Sequence, residues 1–513
     1  MSTSSDKAPG NSAGSSSYGQ ILTSSAIVGG AQAINYIIGL VRTKLVAVLL
    51  GPTGMGLVAV YVSTIGIVQT AAQLGVNQSG VREVAAAFGT NNNQRLAETV
   101  VALRRLCWIT GFAGWVLAIA LAWPLSQWMF KSAEHVWAIG ILGCIVLIDS
   151  IANGQRALLQ GIRRIGDIAR VQIASALIAT VVAAVLYWRL GEAGIVPVIV
   201  LTSLIQLGCF WWFARRIHLA DPQLSWRRTK DHWVQLIKLG TAVLYGGLVL
   251  SATGLVVRAL LVRDAGLGGA GIYHAAWSLS GLFGGFVLQA MAMDFLPRLT
   301  AIADDNAVVN RLVNEQVEIG VLLALPAVLL PLAVAPWLVE LLFSSEFATA
   351  SDLLPGMLLG VLCGVVRTPL TAVAIAKKAT GYLFALRTAE GLLQVGVFWI
   401  MFKQFGLVGA AWSYALFAAG GVLLSLLLAK RLSDFSCSSQ TWRRVRFTAT
   451  FIGLALLVLL MLQYHPVYRV GMMLLAAGAT YLSMRQLALI SPEHFDARKV
   501  LAKITNKIRP RRT

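Results

Sequence analysis

Apolar residues in this chain come in long runs with little polar interruption, not in the one-sided stripes of soluble helices. Windows of about 19 residues mark fourteen such runs. They lie near 20–50, 54–80, 105–130, 135–161, 167–190, 194–215, 234–263, 269–296, 312–343, 351–376, 381–403, 407–430, 445–464 and 467–489. A helix needs roughly 20 residues to cross a bilayer, so each run is predicted to span, and the longer ones to tilt. The predicted fold class is therefore an all-α polytopic membrane protein with about 14 transmembrane helices. Pro326, Pro331 and Pro336 place a kink in the ninth run. Residues 1–17, "MSTSSDKAPGNSAGSSS", read as a disordered tail. No short cleavable leader follows them, and the first run reads as a retained helix.

The loops set the orientation. With the N-terminus inside, the cytoplasmic connections include "REVAAAFGTNNNQRLAETVVALRR", "GIRRIGDIAR", "RRIHLADPQLSWRRTKDHW", "PRLTAIADDNAVVNR", "AKKATG" and "KRLSDFSCSSQTWRRVR". About 33 of the basic residues fall on or near that side, so both termini are expected in the cytoplasm of a bacterial inner membrane. This topology absorbs most of the formal charge of +20. No basic soluble domain remains for a nucleic-acid partner, and the basic tail 491–513 is expected to lie against anionic lipid headgroups. Only 12% of residues are charged, half the soluble norm, and the 48 glycines suit closely packed membrane helices.

The runs repeat. Gly56 and Gly271, Ser63 and Ser278, Gly66 and Gly281, and "RLGEAG" at 189–194 against "QFGLVG" at 404–409 are all 215 residues apart. Arg42 and Arg258 are offset by 216, as are Arg82 and Arg298. Arg156 and Arg367 look matched, each followed by a basic pair and a glycine. Six spans per unit is an even number, so two lobes share one orientation around an axis along the membrane normal, with a cavity between them. The expected division is tail 1–17, first lobe 18–217, second lobe 218–432, two extra helices over 433–490, and tail 491–513.

Charges at membrane depth are the candidate chemistry, because each is costly there. Arg42, Lys44 and Arg258 fall in the half of the membrane away from the cytoplasm, and Arg156 and Arg367 nearer to it. Two tiers of cations suit an anion crossing the bilayer, and the planar guanidinium suits phosphate. The other reading is that these side chains snorkel to headgroups or meet local carboxylates, as expected for Arg263 and Asp264. Asp149 and Glu390 are either ion-coupling groups, for a proton or sodium gradient, or neutralisers of Arg156 and Arg387. No nucleotide-binding P-loop, zinc motif or nucleophile elbow is present, so no enzyme activity, cofactor or metal is expected. The five scattered cysteines suggest neither a metal site nor a disulfide framework.

The stretch "KLVAVLLGPTGMGLVAVYVSTIGIV" followed by "AAQLGVNQSGVREVA" resembles the start of Wzx-type bacterial polysaccharide flippases, which export O-antigen and enterobacterial common antigen precursors. Lys44, Gly51, Pro52, Gly54 and Gly56 hold the family's basic residue and Gly-Pro-x-Gly-x-Gly turn. The resemblance implies the multidrug/oligosaccharidyl-lipid/polysaccharide exporter superfamily, with alternating access and a polyprenyl-pyrophosphate-linked oligosaccharide as substrate. It also implies transport roles for Lys44 and, through the repeat, Arg42 and Arg258. A polysaccharide polymerase and a chain-length regulator are the implied partners. A cation-drug antiporter would want an acidic cavity, and a membrane glycan polymerase or ligase a large external loop; neither feature is visible.

Overall fold

The computed structural model describes residues 12–90, 92–217, 225–462 and 467–490, and they are helical almost throughout. In chain order the helices are α1 Ser12–Gln73, α2 Val76–Gly89, α3 Asn93–Phe130, α4 Val136–Leu142, α5 Cys144–Gly161, α6 Ile165–Leu190 and α7 Ile195–Ala214. There follow α8 Trp226–Ala301, α9 Asn306–Ala333, α10 Ala335–Leu342, α11 Ala350–Ala376, α12 Thr380–Ser433, α13 Ser439–Leu462 and α14 Val467–Ile490. Three of these are pairs of legs joined at a sharp bend: Gly51 in α1, Gly266 in α8 and Gly406 in α12, with φ of 64°, 71° and 59°. Only glycine takes that conformation without a steric penalty, and Pro52 then starts the second leg where no amide hydrogen is needed.

With α2 set aside and α4–α5 and α9–α10 each read as one interrupted span, the legs are fourteen, in the order of the fourteen apolar runs. Eight apolar stretches of the described residues are long enough to cross a membrane. Gly30–Gln73, Ile165–Ala214, Leu244–Gly285 and Thr380–Ser433 each hold two legs, so the eight contain the first twelve. Trp188 and Leu250 are each 70% exposed, which is tolerable only where lipid covers them. The chain is a multi-pass membrane protein.

The described residues fall into two compact units. One comprises the chain up to Leu50 together with Val60–Ser251; the other comprises Gly51–Ala59 together with the chain from Ala252. The backbone states the repeat more sharply than the side chains do. Left-handed residues recur at Gly51 and Gly266, Gly191 and Gly406, and Arg163 and Lys378, always 215 apart. After α5 the Arg164 amide donates to the Leu159 carbonyl, and after α11 the Ala379 amide donates to the Ala374 carbonyl, both at 2.9 Å. The same backbone turn closes both helices. Within the second unit, a methyl group on Gly56 would strike the Leu267 carbonyl, and one on Gly271 would strike the Pro52 carbonyl. The two contacts exchange places under the 215-residue offset.

That register corrects the side-chain matches. Arg42 stands nine residues before Gly51, and Arg258 stands eight before Gly266. One residue is about 100° of helix, so they leave different faces of their legs. Arg156 precedes Arg163 by seven residues and Arg367 precedes Lys378 by eleven, a full turn apart. Neither cation pair is repeat-equivalent. Residue type had been matched where backbone geometry sets the register.

Other departures are local. The basic stretch expected as the first cytoplasmic loop is largely helical, in α2 and the start of α3. Asn92 Oδ1 caps α3 by accepting the Arg95 amide at 3.0 Å. Helix α1 already begins at Ser12, inside the expected tail. The basic tail 491–513 lies outside the described residues. Pro336 opens α10 after a break at Val334, which is where the ninth run was expected to kink. Asp264 pairs with Lys403 at 2.9 Å, a partner distant in sequence.

Helices α13 and α14 are fastened to α9. Asn310, Asn314 and Glu318 lie at successive turns on one face of α9 and hold the segment that enters α13. Asn314 donates to the Ser436 carbonyl and accepts the Ser438 amide, while Glu318 meets Arg444 at 3.0 Å and accepts from Thr441 at 2.7 Å. Thr441→Val deletes the hydroxyl's bond to Glu318 and its contacts with Asn314 Oδ1 and Ser438 Oγ while keeping the shape. We expect it to cost about 1–2 kcal/mol, read as a lower Tm in detergent; an unchanged Tm would show the polar stripe to be dispensable.

Candidate functional site

The sequence-predicted residues divide between the units. Arg42, Lys44, Asp149 and Arg156 belong to the first, and Arg258, Arg367 and Glu390 to the second.

In the first unit, α7 presents adjacent hydroxyls to both a cation and an anion. Arg42, half-buried on α1, donates through Nη2 to Thr202 Oγ1 at 3.4 Å. Asp149 of α5 accepts from Gln69 Nε2 at 2.9 Å and from the Ser203 hydroxyl. Both partners of Asp149 are neutral, and it forms no ion pair with Arg156 among the described residues. The expected neutralisation of Arg156 is absent because the two side chains are two helical turns apart. Arg156 is half-buried and Lys44 is on an exposed face of α1.

In the second unit, Glu390 of α12 serves two cations. Its Oε2 lies 2.8 Å from Arg387 Nη1, and its Oε1 lies 3.3 Å from Arg367 Nη1 of α11. The carboxylate is 6% exposed, so the acidic member of both pairs is shielded from water, while the Arg387 side chain is 38% exposed. Two guanidinium groups share one carboxylate, leaving a local excess of positive charge. Arg258 has a single hydrogen bond among the described residues, from Nη1 to the Gly254 carbonyl of its own helix at 3.2 Å.

Sequence reading missed the neutral partners Gln69, Thr202 and Ser203, and a run of rings in the second unit. Tyr273 stacks near Trp277 at 6.4 Å, Trp277 meets Tyr414 edge-on at 4.8 Å, and Tyr414 lies 6.3 Å from Phe417. The Arg367 guanidinium stands 5.4 Å over the Phe417 ring, and Arg258 lies within electrostatic reach of Tyr273 and His274. Two cations predicted at different depths are thus joined by a series of ring contacts. Polar and aromatic residues inside apolar runs are the available signal, but in sequence only charge stands out there.

A family described as polysaccharide biosynthesis protein matches residues 45–352, which is more than half of the chain. This chain belongs to the polysaccharide biosynthesis protein family. Its similarity to curated relatives extends to the "Lipid III flippase" of Escherichia coli (strain K12) and that of Shigella flexneri. Each is 25% identical over 393 residues, covering 73% of this chain and 90% of the relative. In fold, this polysaccharide biosynthesis protein is similar to an inward-facing multidrug resistance MATE family transporter of the MOP superfamily. The TM-score is 0.67 at 16% identity, over 78% of this chain and 95% of the transporter. It is also similar to the lipid II flippase MurJ in an inward closed conformation. There the TM-score is 0.65 at 13% identity, over 91% of this chain and 98% of MurJ.

Proposed function

We propose that this protein is a flippase, moving a polyprenyl-pyrophosphate-linked oligosaccharide from the cytoplasmic to the periplasmic leaflet of a bacterial inner membrane by alternating access. Both termini lie in the cytoplasm, and the substrate feeds surface polysaccharide synthesis, alongside a polymerase and a chain-length regulator. The observation that carries this reading is cationic excess at membrane depth. Arg42 is bonded to a neutral hydroxyl, Arg258 to its own helix backbone, and Arg367 shares its carboxylate with Arg387. Guanidinium groups held this way retain donors for a pyrophosphate. The lipid III flippase relatives support the choice of a lipid-linked substrate.

The same geometry favours Asp149 over Glu390 as the coupling group. Glu390 is committed to two arginines, whereas Asp149 has only neutral partners and is free to exchange a proton or hold a sodium ion. Asp149 is the coupling group in this reading.

The test is transport in proteoliposomes of a polyprenyl-pyrophosphate-linked oligosaccharide by wild type, Arg42→Ala and Arg258→Ala. A charged hydrogen bond contributes about 1.5–3 kcal/mol, so each variant is expected to lose roughly tenfold or more of the rate while inserting normally. Undiminished transport in both assigns the arginines to packing. No lipid transport by wild type, with efflux of a cationic dye instead, makes the protein a drug antiporter.

A further inference from the structure

The ring series of the second unit carries polar groups that have no partner among the described residues. His274 Nδ1 is buried without a hydrogen-bond partner. The hydroxyls of Tyr273 and Tyr414 make no hydrogen bond among the described residues, and the two tyrosines lie within electrostatic reach of one another. Buried polar atoms in native proteins are nearly always paired, so the unmet His274 Nδ1 requires an explanation, as do two nearby tyrosines whose hydroxyls no described group takes up. Packing alone does not supply it, since phenylalanine would fill the same volume without an unmet hydroxyl. Tyrosine and tryptophan combine a flat apolar face with a polar tip, and a sugar ring offers the complement, apolar C–H faces edged by hydroxyls. The cations at either end, Arg258 and Arg367, suit the phosphoryl oxygens to which a carrier lipid's first sugar is attached.

We propose that Tyr273, His274, Trp277 and Tyr414 form the saccharide-binding part of the second unit's site, flanked by Arg258 and Arg367. The class of ligand is a polyhydroxylated sugar borne on a pyrophosphate, and the proposal rests on the flippase reading above. Trp277 supplies the stacking face, and the tyrosine hydroxyls and His274 Nδ1 bond sugar hydroxyls.

The test measures binding to the purified full-length protein by native mass spectrometry. Three probes are used: polyprenyl pyrophosphate carrying an oligosaccharide, the same lipid without sugar, and phosphatidylglycerol. The variants Tyr273→Phe, Tyr414→Phe and His274→Leu preserve ring or side-chain bulk. Each is expected to weaken binding of the glycosylated lipid by about three- to tenfold and leave the bare pyrophosphate unchanged. Arg258→Ala is expected to weaken both. Equal losses on both pyrophosphate lipids, or no loss on either, overturn the saccharide assignment and leave the flippase reading intact. Phosphatidylglycerol competing as well as the glycosylated lipid also overturns it, making the cluster a phosphate site. Failure of wild type to bind either pyrophosphate lipid removes the flippase reading and this one together.

Discussion

Gly56→Ala is expected to destabilise the protein by about 3 kcal/mol or more, and Gly271→Ala by the same amount. In each case the new methyl meets a backbone carbonyl, Leu267 for the first and Pro52 for the second. A carbonyl in a helical turn cannot rotate aside as a side chain can, so the legs must separate and lose the packing around the bend. The control is built into the same repeat. Gly66 and Gly281 are also 215 apart, yet nothing lies within 4 Å of a methyl placed on either. Alanine there is expected to be neutral or slightly stabilising, because it is the better helix former. Thermal unfolding in detergent of all four variants checks the contrast. Equal Tm values across the set would mean that the two bends do not rest on each other.

Removing the shared carboxylate is expected to cost nearly as much. Glu390→Ala leaves Arg367 and Arg387 as neighbouring charges without a counter-ion, and breaking a buried pair costs about 3–5 kcal/mol. The lower end applies, because the Arg387 side chain is 38% exposed and recovers some hydration. Adding Arg387→Ala to Glu390→Ala removes one of the stranded charges and should restore part of the Tm. A double variant no more stable than Glu390→Ala alone would show that Arg387 is not coupled to the carboxylate.

The spans were legible in the sequence because hydrocarbon imposes one requirement at every depth, and length in apolar residues states it directly. Glycine at a bend is legible for a similar reason: Gly191 and Gly406 hold conformations other residues avoid, and the repeat showed at them through "RLGEAG" and "QFGLVG", whereas the match of Gly51 with Gly266 emerges from the backbone. The cations were the opposite case. Arg156 and Arg367 resemble each other in their sequence neighbours but sit a turn apart, since the helix fixes where a side chain emerges and the alphabet does not. Helix α2 was hidden by its polar surface, which outside the membrane resembles a loop. Gln69 and Ser203 were invisible because a neutral polar residue in an apolar run announces nothing until its partner, Asp149, is known.

The reciprocal bend contact carries a consequence for ancestry. Gly56 meets Leu267 while Gly271 meets Pro52, so position i touches j and j touches i. That is the signature of an isologous interface, the kind formed by two copies of one subunit about a two-fold axis. Within a single chain it is the contact that duplication of one half would leave. The contact keeps this symmetry while the side chains near it do not, for Arg42 and Arg258 stand one residue out of step.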